Sequence, residues 1–184
     1  MYYDVILTGF GGQGILLIGD ILAQAAMMED KHVTWMPSYG VEMRGGTANC
    51  TVVISTETIG SPLTDQPHGV ICMSKPSLLK FQGKIKEKGL LVVNTSFVEQ
   101  DLVTREDLEA ICLPASEIAF QEVGQHKMAN MIVLGAFLAA SKVVDPQTVV
   151  NSLAELFQGE KEKLIAPMVQ ALHCGMNYQN TQEV

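Results

Sequence analysis

The sequence is short of charge, shorter still of cations, and has no paired-cysteine motif. Of its 184 residues 17% are charged and 47% hydrophobic. Such a chain needs a large core for its size, or a face hidden against another subunit. Lys and Arg total 12 against 20 Asp and Glu, a net charge of −8. The missing basic face argues against a nucleic-acid binder, and an acidic surface slows encounter with an acidic redox partner. Cys50, Cys72, Cys112 and Cys174 lie far apart, never as C-x-x-C. An iron–sulfur or structural zinc site draws at least two ligands from one short segment, so four separate reduced thiols are expected, each acting as a small hydrophobe. His32, His68, His126 and His173 are equally scattered and read as structural. The most apolar stretch, residues 128–140, contains Asn130 and is too short to span a bilayer. Asp4 falls where the apolar part of a signal peptide would begin, with no positive leader before it. The expectation is a soluble, cytoplasmic chain forming a single domain over 1–184, without repeats or low-complexity linkers, burying roughly 70% of its unfolded surface.

What is present alternates between strand and helix. Residues 3–8 (YDVILT) form an apolar run ending at glycine, as a buried strand does. From Gly14 the period becomes helical, with Ile15, Ile18, Leu22 and Ala25 on one face as far as Met28. Residues 32–36 (HVTWM) give a second strand, completing the pattern of a right-handed βαβ unit. Residues 37–47 have no period and predict a long loop, followed by strands at 48–54, 69–73, 90–94 and 111–113. A helix is expected from Pro76 to about Lys86. Beyond residue 113 the chain reads as helices over 114–122, 127–142, 145–157 and 160–176. Asp145 caps the third of these, ahead of a proline, and Pro167 divides the last. The fold class is therefore α/β: a three-layer α/β/α domain with a mostly parallel or mixed sheet and a helical C-terminal third.

Two glycine-rich segments stand out. In GFGGQG, Gly9, Gly11 and Gly14 satisfy G-x-G-x-x-G between a strand and a helix. Glycines there allow a tight turn and close backbone approach, leaving helix N–H groups free to meet an anion such as phosphate. Gly12 lies inside the same loop, and Gln13 adds an amide side chain able to orient a bound group. NAD would require a carboxylate at the end of the second strand, where Met36, Pro37 and Ser38 stand; NADP would want an adjacent cation. Anion contact and a ligand-free structural turn both remain open on these residues alone.

The second segment, PSYGVEMRGG, sets Arg44, a permanently charged fork suited to phosphate or carboxylate, beside Gly45 and Gly46, with Ser38, Tyr39 and Thr47 shaping the loop. Glu42 is a possible internal partner for Arg44, and a solvated arginine or one gripping a neighbouring subunit is an equal reading. Asn49 and Lys127 are weaker candidates; Asn130, within an apolar helix, is expected to hydrogen-bond neighbouring backbone.

Taken together, GFGGQGI, PSYGVEMRGGTANCTVVIS and HKMANMIVLGAFLA resemble the gamma subunit of 2-oxoacid:ferredoxin oxidoreductases across almost the whole chain. VTWMPSYGVEMRGGTANC is most similar to the 2-oxoglutarate and 2-oxoisovalerate branches. The resemblance implies one subunit of an enzyme making acyl-CoA, CO2 and reduced ferredoxin, inactive alone. Thiamine diphosphate and Mg2+ would lie between alpha and beta partner subunits, with iron–sulfur clusters in beta or a ferredoxin-like delta chain. This chain would bind no metal and carry no catalytic residue. Its share would be assembly and coenzyme A, contacted through Gly9, Gly11, Gly12, Gln13, Gly14, Ser38, Tyr39, Arg44, Gly45, Gly46 and Thr47. A stand-alone NADP oxidoreductase and a purely structural subunit are the competing readings.

Overall fold

A computed structural model describes residues 1–39 and 46–181. Six strands form one sheet: β1 (Tyr2–Phe10), β2 (His32–Tyr39), β3 (Thr47–Ser55), β4 (Gly69–Cys72), β5 (Leu90–Asn94) and β6 (Glu109–Leu113). Their order across the sheet is β2-β3-β1-β4-β5-β6. β4, β5 and β6 continue parallel to β1, whereas β3 runs antiparallel to both β1 and β2. The sheet is mixed, as one of the two expected forms.

The simple βαβ expectation needs correcting. α1 (Ile15–Met28) does connect two strands of the same direction, but β3 is inserted between them. β2 is thereby an edge strand, which explains how it tolerates Pro37, paired opposite Cys50 without a donor to give. It also runs three residues past the expected end, to Tyr39, and β3 begins at Thr47, one residue before the expected 48.

Alternation along the strands sorts their side chains onto two faces. Val5, Leu7, Cys50, Val52, Ile54, Ile71, Leu90 and Val92 pack into one core with α1, α4 (Ala129–Ser141), α5 (Pro146–Leu156) and α6 (Ile165–Thr181). Ile6, Val70, Cys72, Leu91 and Val93 face the other way, onto Leu78 and Phe81 of α2 (Lys75–Phe81). β4 and β5 are buried on both faces, which is why they are unbroken apolar runs. α4 is buried over Ala129–Leu138, with no polar face to show solvent.

The C-terminal helices follow expectation with adjusted ends. Asp145 caps α5, its Oδ1 accepting from Gln147 N at 2.7 Å, with Pro146 at the first helical position. The last segment divides before Pro167, not at it: residues Gly159–Leu164 are 3-10, and Pro167 sits in the first turn of α6, where its missing N–H costs nothing. The segment expected as a helix over 114–122 is a four-residue α3 (Ala115–Ile118) continuing as a π-helical turn, Ala119–Val123, ended by Gly124 at φ 78°.

Candidate functional site

β1 and β4 are neighbours whose following helices leave to opposite sides: α1 packs on one face, α2 on the other. Such a reversal opens a crevice at the carboxyl ends of the two strands, where α/β sheets bind ligands. The glycine loop lies at its edge. Gly12 (φ 93°) makes the turn and Gly14 (φ 75°) is the left-handed residue that starts α1, both backbone conformations that favour glycine. Gly9 is needed for a different reason, close approach: a Cβ there would lie 2.4 Å from Gln13 Oε1 and 2.9 Å from Met73 Cβ.

The loop is braced by its own groups, and this narrows the expected ligand contacts. Gln13 Oε1 accepts from Phe10 N at 2.7 Å, and Gln13 Nε2 donates to Met73 O at 3.0 Å. The amide expected to orient a ligand ties the end of β1 to the end of β4. Gly11 N donates to Gly46 O at 3.1 Å, joining the two glycine-rich segments, and Gln13 N donates to Phe10 O. Gly12 and Gly14 keep N–H groups with no bond among the described residues, at a helix start that no side chain caps.

Two depressions flank the loop and share Gly12, Gln13 and Lys127. One, of about 220 Å3, is lined further by Met73, Phe97, Ser116, His126 and Ala129. The other, of about 390 Å3, runs along Leu17, Met128, Phe157, Leu164 and Met168. Lys127, exposed and without an ion-pair partner among the described residues, is the cation at their common rim. The π-helical turn and Gly124 deliver Gln125, His126 and Lys127 to that rim. His126 accordingly does more than fill space: its Nδ1 lies 3.0 Å from Ser116 O, so that nitrogen carries the proton, and its ring stacks on Phe120 at 4.5 Å and 8°.

Asn130 behaves as the sequence implied. It is buried, donates to Gly14 O at 3.4 Å and accepts from Met131 N at 2.8 Å. Asn49 is engaged with Thr8, which also contacts Ser77. Ser38 pairs opposite Asn49, on the α2 face of the sheet, and neither it nor Thr47 lines either depression. Arg44, Gly45 and the side chain of Tyr39 lie outside the described residues. Phe97, Ser116 and His126 are rim residues that pattern reading missed. For Phe97 a signal existed, an aromatic directly after a strand's carboxyl end in NTSF.

Among the described residues no grouping of three or more His, Cys, Asp and Glu is placed to hold a metal ion, and no helix is long and apolar enough to cross a membrane. Cys50, Cys72, Cys112 and Cys174 are all free thiols. Burial pushes the Cys50 thiol up to about 12 and raises Cys72, Cys112 and Cys174 as well, which leaves poor nucleophiles.

The family model for pyruvate ferredoxin/flavodoxin oxidoreductase matches residues 4–178. The chain belongs to this family. It is 39% identical over 175 residues to ketoisovalerate oxidoreductase subunit VorA of Methanothermobacter marburgensis, covering 95% of this chain but 36% of that protein. It is 34% identical to the 2-oxoglutarate synthase subunit KorC of Methanocaldococcus jannaschii, covering 89% and 88%. The chain therefore spans about a third of the VorA relatives and most of KorC. Among solved structures, the gamma subunit of a keto/oxoacid ferredoxin oxidoreductase from Geobacter sulfurreducens superposes with a TM-score of 0.84 at 25% identity, covering 97% and 96%. A 2-oxoglutarate:ferredoxin oxidoreductase from Magnetococcus marinus, solved with 2-oxoglutarate, coenzyme A and succinyl-CoA, shares the fold at a TM-score of 0.85 and 22% identity, covering 98% of this chain and 31% of that one. The gamma-subunit resemblance and the α/β expectation both stand.

Proposed function

We propose that this chain is the gamma component of a 2-oxoacid:ferredoxin oxidoreductase that converts a 2-oxoacid and CoA to acyl-CoA, CO2 and reduced ferredoxin. The substrate is 2-oxoglutarate or a branched-chain 2-oxoacid, the chemistry named in KorC and VorA. The chain's own share is to hold CoA and to assemble with alpha, beta and, where present, delta subunits. Those partners carry thiamine diphosphate, Mg2+ and the clusters, and the reactivity is theirs.

The observation that carries this reading is that Lys127 and the amides of Gly12 and Gly14, unbonded among the described residues, line one depression at the mouth of the β1/β4 crevice. Together they offer one mobile cation and two fixed donors to a diphosphate. Arg44, Gly45, Ser38, Tyr39, Gly46 and Thr47 belong to the adjoining segment and are assigned to the same ligand or to the partner facing it. None of these groups performs a bond-making step; their contribution is position, which lowers a barrier by removing the entropy of encounter.

The test is to co-express the chain with the products of neighbouring genes and assay acyl-CoA formation. Lys127→Ala is expected to raise KM for CoA about tenfold, the effect of one lost charge-assisted contact, leaving KM for the 2-oxoacid unchanged. Equal KM for CoA in variant and parent removes the CoA assignment. A complex with no thiamine-binding subunit removes the family role.

A further inference from the structure

At the amino ends of β1, β4 and β5, the opposite end of β1 from the glycine loop, three titratable side chains stand together. Asp4, 2% exposed, receives both N–H groups of His68: the backbone amide at 2.9 Å and the ring Nδ1. The Thr64 hydroxyl donates to the same carboxylate. With its proton held on Nδ1, the imidazole keeps its lone pair at Nε2. Lys86 Nζ lies 3.3 Å from Nε2 and 3.3 Å from Nδ1. Backbone bonds hold the lysine there. Lys86 N donates to Pro67 O at 3.0 Å and Leu90 N to His68 O at 2.8 Å, which zips the turn before β5 to the residues before β4. Tyr3 stacks on the imidazole, centroids 5.3 Å apart at 28°, and sets the plane of the ring. The His68 side chain remains 34% exposed, so the group is open to small molecules from solvent.

We propose that Lys86 is a nucleophilic amine acylated by acyl thioesters, with His68 as its base and Asp4 positioning the imidazole. A buried carboxylate behind an imidazole that faces a nucleophile is the arrangement that activates hydroxyls and thiols toward an acyl carbon. Here the third member is an amine. In its unprotonated form, the Lys86 nitrogen attacks the thioester carbonyl carbon with its lone pair and the C–N bond forms. The nitrogen becomes cationic as it does so, and His68 Nε2 takes the surplus proton. The Asp4 carboxylate stabilises the imidazolium from the other side of the ring. The C–S bond then breaks, its electron pair leaves with sulfur, and His68 returns the proton to the thiolate. An amide and a free thiol result, with nothing oxidised or reduced. Acyl-CoA as the donor rests on the function proposed above; the reactivity of Lys86 does not.

The full chain tests this with a small thioester, S-acetyl-N-acetylcysteamine, which carries no nucleotide and so needs no CoA site. Lys84 and Lys88, both exposed, flank Lys86 on one short peptide and serve as internal standards. Tandem mass spectrometry over a time course is expected to show Lys86 acetylated about tenfold faster than either, short of what a positioned base reaches in an enclosed site. His68→Gln retains a polar side chain but cannot take the proton. It is expected to bring Lys86 down to the rate of its two neighbours and to leave theirs unchanged. A purely structural His68 gives the opposite sign, since loosening the turn exposes Lys86 and speeds its reaction. The proposal is overturned by Lys86 reacting no faster than the other two in the parent, or by its lead surviving or growing in the variant. Failure of the CoA reading shows separately, as Lys127→Ala leaving KM for CoA at its parent value.

Discussion

A single amide, Gln13, shows how the loop keeps its shape. Its oxygen and nitrogen join Phe10 and Met73 and so fasten β1 to β4 beneath the crevice. Gln13→Ala leaves both backbone groups without their partner and is expected to lower stability by about 2 kcal/mol, on the order of two net hydrogen bonds, measured by guanidinium unfolding. At the opposite end of β1, Asp4 is 2% exposed and accepts from the His68 backbone at 2.9 Å and from the His68 ring. Burial alone would raise the Asp4 carboxyl, but hydrogen bonds from Thr64 and His68 outweigh it and hold the group below its ordinary value. Folded Asp4 thus binds its proton more weakly than unfolded Asp4. Its contribution is complete above the unfolded value of about 3.9 and disappears as pH falls through the depressed folded one. Asp4→Asn is expected to cost about 2 kcal/mol at pH 7, the scale of a charged hydrogen bond. Unfolding titrations repeated at falling pH should show parent and variant converging.

At the scale of elements, α4 and α6 pack closer than side chains ordinarily allow. A Cβ on Gly135 would lie 2.1 Å from Leu172 O, and one on Gly175 would lie 1.9 Å from Ile132 O. Backbone stands against backbone at both points, so nothing flexible can yield. Gly135→Ala and Gly175→Ala are each expected to lower Tm by roughly 5–10 °C, the effect of about 2–3 kcal/mol of overpacking in a chain of this length, read by scanning calorimetry. Much of this layer was legible in the sequence. The apolar runs of β4 and β5, the period of α1 and the Asp145-Pro146 start of α5 reflect forces acting within a few residues. The insertion of β3 between β1 and β2 was not legible, because residues 48–54 read alike at any place in a sheet. Neighbour choice is a long-range decision. The same limit explains the site. The glycine loop is local and was visible, whereas Phe97, Ser116, His126 and Lys127 reach it from three separate connections that only the folded sheet brings together. Gln13 shows the converse: its type suggested a ligand contact, and its bonds to both strand ends were not to be read from it.

At the scale of the whole molecule, the proposed gamma role predicts a component and not a complete catalyst. The four thiols are raised away from reactivity. An NADP enzyme would place a ribose-reading group at the end of the strand beside β1; here β3 occupies that place, running the other way. The purified chain is accordingly expected to show no 2-oxoacid turnover by itself. Its thermal transition should be unmoved by NADPH and raised by saturating CoA, since a ligand that binds only the native state raises Tm. A shift with NADPH and none with CoA would point to the stand-alone enzyme instead.

The strand threaded between β1 and β2 bears on how the protein is made. Gly46, next to the first residue of β3, supplies the carbonyl that pins Gly11. A nascent chain that has emerged only as far as β2 therefore carries the complete glycine motif without the brace that shapes it. The loop takes its final shape only once residues 47–55 have been made and β3 has docked against β1, so the motif and its brace come from consecutive stages of synthesis.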